Sequence, residues 1–99
     1  MNDFVYLGTK LKYLVTIQSS GFSMDRDDFD ITLKRGGVSR TFAKSELVSD
    51  GEDYYLVFDT TDFGAGALDA SVTARVPDED FPDGIRTEVH KFRLTTIKS

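Results

Sequence analysis

Apolar and polar residues alternate along most of this chain with a period of two, the pattern of a β-strand with one buried face. The pattern predicts strands over residues 11–18, 29–34 and 38–42. A further strand is predicted over 67–76, with these residues facing inward: Leu68, Ala70, Val72, Ala74 and Val76. No segment of helical length keeps a 3.6-residue period, so the chain is predicted to be all-β.

Two further segments complete the strand prediction. Residues 53–59, DYYLVFD, carry apolar groups on both faces, which predicts a central strand. Residues 85–97 predict a final strand or a bent pair of strands. Residues 43–48 are predicted to be a connection that holds one helical turn.

Glycine and acidic residues mark the turns between these strands. Gly36-Gly37 predicts a hairpin, and residues 49–52 predict a second turn. Gly64 and Gly66 close a corner before the long strand at 67–76. The result is six or seven strands with turns about every 8–12 residues, the spacing of a β-sandwich or a small barrel.

Size and charge narrow the classes of function. The 99 residues make one domain, predicted as residues 11–99 preceded by an arm or edge strand over 1–10. Twelve basic and seventeen acidic residues give a net charge of −5, which argues against binding nucleic acid or an anionic membrane. The chain has no cysteine, which excludes disulfides and thiolate chemistry. The N-terminus has no apolar core of signal-peptide length, so synthesis in the cytoplasm is expected.

Candidate chemistry is sparse. His90 is the only histidine and has no base or nucleophile fixed near it by sequence, so no enzyme is predicted. Acidic residues cluster at 25–30 and again at 78–83. In the second cluster, Asp78, Asp80, Asp83 and Glu88 are weak calcium candidates, because Pro82 occupies a ligand position and the spacing of a calcium loop is not kept. The alternative is that these acids are solvated turn residues, and no metal or cofactor is predicted.

The aromatic residues allow two interpretations. Tyr13, Tyr54, Tyr55 and Phe58 could form a face that stacks against carbohydrate, or they could fill the core and pair across strands. The second interpretation is favoured. Phe81 lies between acids and beside Pro82, so it is predicted either to anchor a partner or to fold back over one end of the domain.

The chain resembles a family through several motifs. These are Val57-Phe58-Asp59-Thr60-Thr61, then Phe63-Gly64-Ala65-Gly66, then Val76-Pro77-Asp78 and Asp83-Gly84-Ile85-Arg86-Thr87-Glu88, together with Lys10–Val15 and Gly21–Met24. They resemble small virion structural proteins of tailed phages and prophages of Bacteroidales bacteria, including the crAss-like group. A looser similarity links the chain to the immunoglobulin-like (Ig-like) attachment domains of phage baseplate upper proteins. The resemblance spans about residues 10–97 and includes no catalytic residue.

The resemblance implies an Ig-like antiparallel β-sandwich that serves as a non-enzymatic building block of the virion. An auxiliary capsid, or decoration, protein is the expected role, and an attachment module of a head fibre, tail or baseplate is the alternative. The implied partners are phage structural proteins and further copies of the chain, for example in a trimer, with no nucleic acid or membrane. Phe4, Tyr6 and Phe81 are the predicted partner-contact residues.

Two interpretations from other classes stay open at this point. One is a carbohydrate- or surface-binding Ig-like module, which requires an exposed planar row of aromatic side chains. The other is a periplasmic or mobile-element accessory protein, which the missing signal sequence disfavours.

Overall fold

A computed structural model describes residues 3–99 of the chain. Met1 and Asn2, which belong to the predicted N-terminal arm, lie outside the described residues. Eight strands and two short 3-10 helices (η1 and η2) follow in this order: β1 Phe4–Tyr6, β2 Lys10–Val15, β3 Asp28–Arg35, β4 Val38–Ala43, η1 Lys44–Glu46, β5 Val48–Asp50, β6 Asp53–Asp59, η2 Thr60–Asp62, β7 Gly66–Pro77 and β8 Ile85–Lys98. Within residues 3–99, no helix is long and apolar enough to cross a membrane.

The strands form two sheets. The first has five strands in the order β1-β8-β7-β3-β4, and the second has three in the order β2-β6-β5. All pairs are antiparallel except β1 with β8, which is parallel and extends only over Phe4–Tyr6 against Thr96–Lys98. The long β7–β8 pairing contains one irregularity at Leu68/Asp69. The five-stranded sheet is therefore built around a β7–β8 ribbon that runs the length of the molecule.

Both sheets bury their inner faces in one shared core. From the five-stranded sheet come Phe29, Ile31 and Leu33, and from the three-stranded sheet come Leu56 and Phe58. The Phe29 ring meets the Tyr54 ring edge to face at 6.1 Å between centroids, which joins β3 to β6 directly. Such aromatic pairs add to the stability that burial alone gives.

The corner after β6 links the start of β2 to the core. Thr60 is fully buried, and its hydroxyl accepts a hydrogen bond from the Gly8 backbone N–H at 2.9 Å. The same hydroxyl donates to the Thr9 carbonyl at 2.8 Å. Thr60 therefore fixes the turn that carries the chain from β1 in one sheet to β2 in the other.

The structure confirms the all-β prediction and most strand positions. The five residues of β7 that were predicted to face inward are all buried, and residues 53–59 form the central strand of the three-stranded sheet. Residues 85–97 lie in one strand and not in a bent pair. The count of six or seven strands was wrong, because the described residues contain eight. The additional strand, β5, is three residues long and includes the first two residues of the predicted turn at 49–52.

Candidate functional site

One open edge of the molecule is the side where β2 and β8 lie. β2 is one of the two outer strands of its sheet, and β8 is covered on its outer side only where β1 pairs with its last residues. The backbone of β8 from Ile85 to about Leu94 therefore has no neighbouring strand on one side within the described chain. Open edges of this kind are sites at which other chains add.

A groove of about 430 Å³ opens between the two sheets at this edge. One wall is Tyr13 to Gln18, from β2 and the residues after it. The other wall comes from β8 and consists of His90, Phe92 and Leu94. The floor is made of core residues from both sheets: Ile31, Leu56, Ala70 and Val72. The groove therefore reaches down to the hydrophobic core, whose floor residues themselves stay buried.

Phe92 shows why the groove is open. It pairs with Ala70 in the ladder and so lies on the same inner face of the sheet as the buried Ala70 and Val72. Its side chain is nevertheless 50% exposed, because no strand of the second sheet lies over it within residues 3–99. His90 lies on the same face, opposite Val72, and its Nε2 is 3.5 Å from Glu88 Oε1. An inner face with an exposed aromatic side chain is a candidate binding surface.

Charge is distributed unevenly around this groove. The two strands that border it, β2 and β8, contain six Lys and Arg residues and a single acid, Glu88. The whole chain has twelve basic and seventeen acidic residues. No Lys or Arg lines the groove itself, and Arg86 and Arg93 already pair with acids of the same chain. The four lysines of the two strands form no ion pair within residues 3–99, so these strands carry unpaired positive charge on a chain that is net negative. Such charge attracts an acidic partner.

The acidic loop between β7 and β8, residues 77–84, is closed by its own hydrogen bonds. The Asp78 N–H donates to the Gly84 carbonyl at 2.9 Å, and the Gly84 N–H donates to the Phe81 carbonyl at 2.9 Å. Gly84 has a φ of 75°, a left-handed conformation that favours glycine. The Asp83 side chain accepts the Ile85 N–H at 3.1 Å. The loop is thus held in a compact turn that presents Phe81.

Arg86 connects this loop to the rest of the sheet. Its guanidinium donates to Asp78, to Glu88 Oε2 at 3.1 Å and to the Ser20 carbonyl at 2.8 Å. Ser19 Oγ also donates to Glu88 Oε2, at 2.9 Å. The Ser19 hydroxyl and the Arg86 guanidinium together hold the pKa of Glu88 below its ordinary value.

The four calcium candidates do not form a common site. Asp78 and Glu88 both bind Arg86, and Asp78 and Asp83 accept backbone N–H groups within their own loop. Asp80 is exposed. Across residues 3–99, no group of three or more acidic, His or Cys side chains is arranged to hold a metal ion. The loop is thus organised by Arg86 and backbone N–H donors.

The first acidic cluster also bonds within the protein. Asp27 is buried, and its carboxylate accepts from the Arg26 guanidinium and from the Ser23 N–H. These bonds outweigh burial and lower the pKa of Asp27. Two other acids of the cluster, Asp28 and Asp30, bind the guanidinium of Arg75 across the sheet. Each of these contacts fixes a loop or a strand pair.

The aromatic residues that could have formed a carbohydrate platform are divided between the core and the outer face. Tyr13 stacks on the buried Phe58 at 6.1 Å, and Tyr54 meets Phe29 edge to face. Tyr55 is partly covered by Lys12, whose Nζ is 4.4 Å from the ring centroid. The four do not form an exposed planar row, and the interpretation as core filling and cross-strand pairs fits Tyr13, Tyr54 and Phe58.

The predicted partner-contact residues are all near solvent. Phe81 is 43% exposed and takes no part in the buried core, so it does not close the end of the domain. Tyr6 is exposed on β1, and Phe4 packs against it edge to face at 5.4 Å. The Lys98 ammonium lies 3.9 Å from the centre of the Phe4 ring, which ties β1 to the end of β8.

The groove itself was not predicted from the sequence. Alternation in residues 11–18 and 85–97 identifies inward residues, but it does not reveal that an inward position such as Phe92 lacks a covering strand. One signal was available: Arg86, Glu88 and His90 occupy alternating positions on the same face as Phe92. Three charged or titratable residues in an inward register indicate a face that is only partly buried.

Comparison with known proteins gave no match: no family model, no curated protein and no solved structure is similar to this chain.

Proposed function

We propose that this chain is an Ig-like β-sandwich that acts as a non-enzymatic assembly domain. The strand order supports the first part. In an Ig constant-type domain, strands A, B, E and D form one sheet and C, F and G form the other. If β2, β6 and β5 are B, E and D, and β3, β7 and β8 are C, F and G, the neighbours in both sheets agree with that order.

The position of strand A supports the second part. In the Ig order, A lies beside B, which corresponds to the free edge of β2. Here β1 pairs instead with β8, in parallel, and the groove lies where A would cover the inner face of β8. This open, apolar edge is the observation that carries the proposal, because its exposed apolar surface favours contact with another chain.

We further propose that the assembly is a phage virion, with the chain as an auxiliary capsid protein that binds other virion proteins. The basis is the resemblance of the motifs at residues 57–66 and 76–88 to virion proteins of Bacteroidales tailed phages. A compact domain with an open edge is suited to this role. It would be made in the host cytoplasm and then incorporated into the particle.

Analysis of purified particles tests this proposal. Virions are purified by density gradient from the phage or prophage that carries this sequence, and their proteins are identified by mass spectrometry. The chain is expected in the particle fraction in constant ratio to the major capsid protein, and labelled antibody is expected on the head. Label on the tail or fibres would indicate the attachment-module alternative. A chain found only in the soluble lysate, while the major capsid protein is found in particles, would contradict the virion role.

A further inference from the structure

We propose that the chain associates head to tail with further copies of itself, and that the acidic loop of one copy, residues 77–84, docks through Phe81 into the β2–β8 groove of the next. The inference deepens the proposed assembly role and rests on it, since it names the surfaces that two copies would bring together. It can nevertheless fail while the virion role holds, because other virion proteins could cover the same groove.

The groove provides a receptor for an aromatic side chain. Its floor is apolar and its walls carry Tyr13 and the half-exposed Phe92. Its volume of about 430 Å³ is enough for one phenylalanine side chain together with part of the turn that presents it. Aromatic anchors that enter a preformed apolar pocket dominate the energy of protein interfaces.

The loop provides the matching anchor. Phe81 is 43% exposed although the protein has a large hydrophobic core, and it is flanked by Asp80 and Pro82. The hydrogen bonds between Asp78, Phe81 and Gly84 hold the turn closed, so little conformational entropy is lost when it docks.

Charge selects a second copy as the occupant. The loop carries four acids, Asp78, Glu79, Asp80 and Asp83. Asp78 is paired with Arg86 of its own chain, which leaves three acids of the loop for a partner. The strands that border the groove carry four lysines that form no ion pair within residues 3–99, whereas Arg86 and Arg93 are paired with acids. A loop of this sign is attracted to that edge and repelled by the remaining, acidic surface of a neighbouring copy. The chain therefore contains both halves of a complementary contact.

The two halves lie on different parts of one copy, so the contact is heterologous. The loop joins β7 to β8 at one end of the ribbon, whereas the groove is formed by residues 90–94, farther along β8. Each docked copy leaves one loop and one groove free. Contacts of this type continue into a ring if the rotation closes and into a filament if it does not.

Complementation between two variants tests the contact. Phe81→Lys removes the anchor and keeps the groove, and Phe92→Glu blocks the groove and keeps the anchor. Sedimentation velocity of the full chain is measured at low salt up to about millimolar concentration, where weak contacts are populated. We expect concentration-dependent association of the unaltered chain, and each variant is expected to weaken it about tenfold or more. Mixing the two variants is expected to give a 1:1 dimer, because one intact loop then meets one intact groove.

Matched controls establish whether the association depends on this contact. Val89→Lys changes an exposed residue of the same strand, β8, on the opposite face of the sheet from Phe92, and it is expected to leave association unchanged. Circular dichroism and the melting temperature are measured for every variant, so that loss of association is interpreted only in folded chains. Raising the salt concentration is expected to weaken association of the unaltered chain, since the contact pairs opposite charges.

Four results would overturn the inference. The unaltered chain could stay monomeric at millimolar concentration and low salt. It could associate with no effect of Phe81→Lys or Phe92→Glu. The two variants could fail to form a dimer when mixed, which would indicate a symmetric contact. Val89→Lys could abolish association as strongly as Phe92→Glu, which would place the contact on the outer face. In each case the protein composition of purified particles decides the virion role independently.

Discussion

At the scale of single residues, the corner before β7 depends on close backbone approach. Gly64 and Gly66 both have positive φ, 85° and 138°. A Cβ atom on Gly66 would lie 2.7 Å from the Cδ of Arg35. Arg35 is held there because its Nε donates to the Phe63 carbonyl at 2.8 Å. The two glycines therefore let the arginine of the β3–β4 hairpin cross over the corner.

Gly66→Ala is expected to destabilise the protein by about 1–3 kcal/mol, because it places a side chain in a strained conformation and against Arg35. The measurement is the free energy of unfolding from urea titration. Gly37→Ala is the matched control, since Gly37 lies in open space without a positive φ, and a change within about 0.5 kcal/mol is expected. Equal stability of the two variants would show that the corner tolerates a side chain.

At the scale of elements, the loop after β7 is tied to β8 and to the segment after β2 by one charged network. Arg86 on β8 contacts Asp78 in the loop and the Ser20 carbonyl in the β2–β3 connection, and Ser19 contacts Glu88. Two parts of the chain that are distant in sequence, residues 19–20 and 78–88, thus meet at one end of the molecule. The network also accounts for the lowered pKa of Glu88.

This network predicts how acid affects the protein. The pKa of Glu88 is lower in the folded chain than its ordinary value of 4.5, so its contribution to stability is present above that value and is lost as pH falls through the folded pKa. Glu88→Gln is therefore expected to lose less stability than the unaltered chain between about pH 6 and pH 3.

Urea unfolding at a series of pH values measures this difference. Glu79→Gln serves as the control, because Glu79 is exposed in the same loop and, within residues 3–99, makes no hydrogen bond or ion pair with another side chain. It is expected to follow the unaltered chain. Parallel pH profiles for Glu88→Gln and the unaltered chain would rule out the stabilising role of the carboxylate.

At the scale of the whole molecule, the two sheets are stabilised by one common core. Leu33 on the five-stranded sheet and Leu56 on the three-stranded sheet are both buried in it. The aromatic contact between Phe29 and Tyr54 crosses from one sheet to the other. A single core in a domain of this size favours cooperative, two-state unfolding.

Leu33→Ala and Leu56→Ala are each expected to lower the free energy of unfolding by about 2–5 kcal/mol through loss of burial and formation of a cavity. For both variants, the transitions measured by far-ultraviolet circular dichroism and by tyrosine fluorescence are expected to coincide. Val57→Ala, at an exposed position of β6, is the control and is expected to cost under about 1 kcal/mol. Separate transitions for the two probes would mean that the sheets unfold independently.

The sequence alone determined the class of the fold and the faces of its strands. Alternation with a period of two identifies an inward face without any knowledge of partners, which is why β7 and its five inward residues were predicted correctly. The Gly36-Gly37 hairpin and the corner at Gly64 and Gly66 were predictable because positive φ restricts the residue type. Short strands such as β5 were missed, since three residues are too few to establish a period.

Only the tertiary structure decided which strands lie beside each other and what remains uncovered. Alternation cannot reveal that β1 pairs with β8 instead of β2. It also cannot reveal that Phe92, on the inner face of its sheet, therefore has no strand above it within the described residues. It also cannot reveal that Arg86 occupies the carboxylates of Asp78 and Glu88, which had been weak calcium candidates. Strand order and side-chain partners depend on contacts between residues far apart in the chain, and local periodicity contains no information about them.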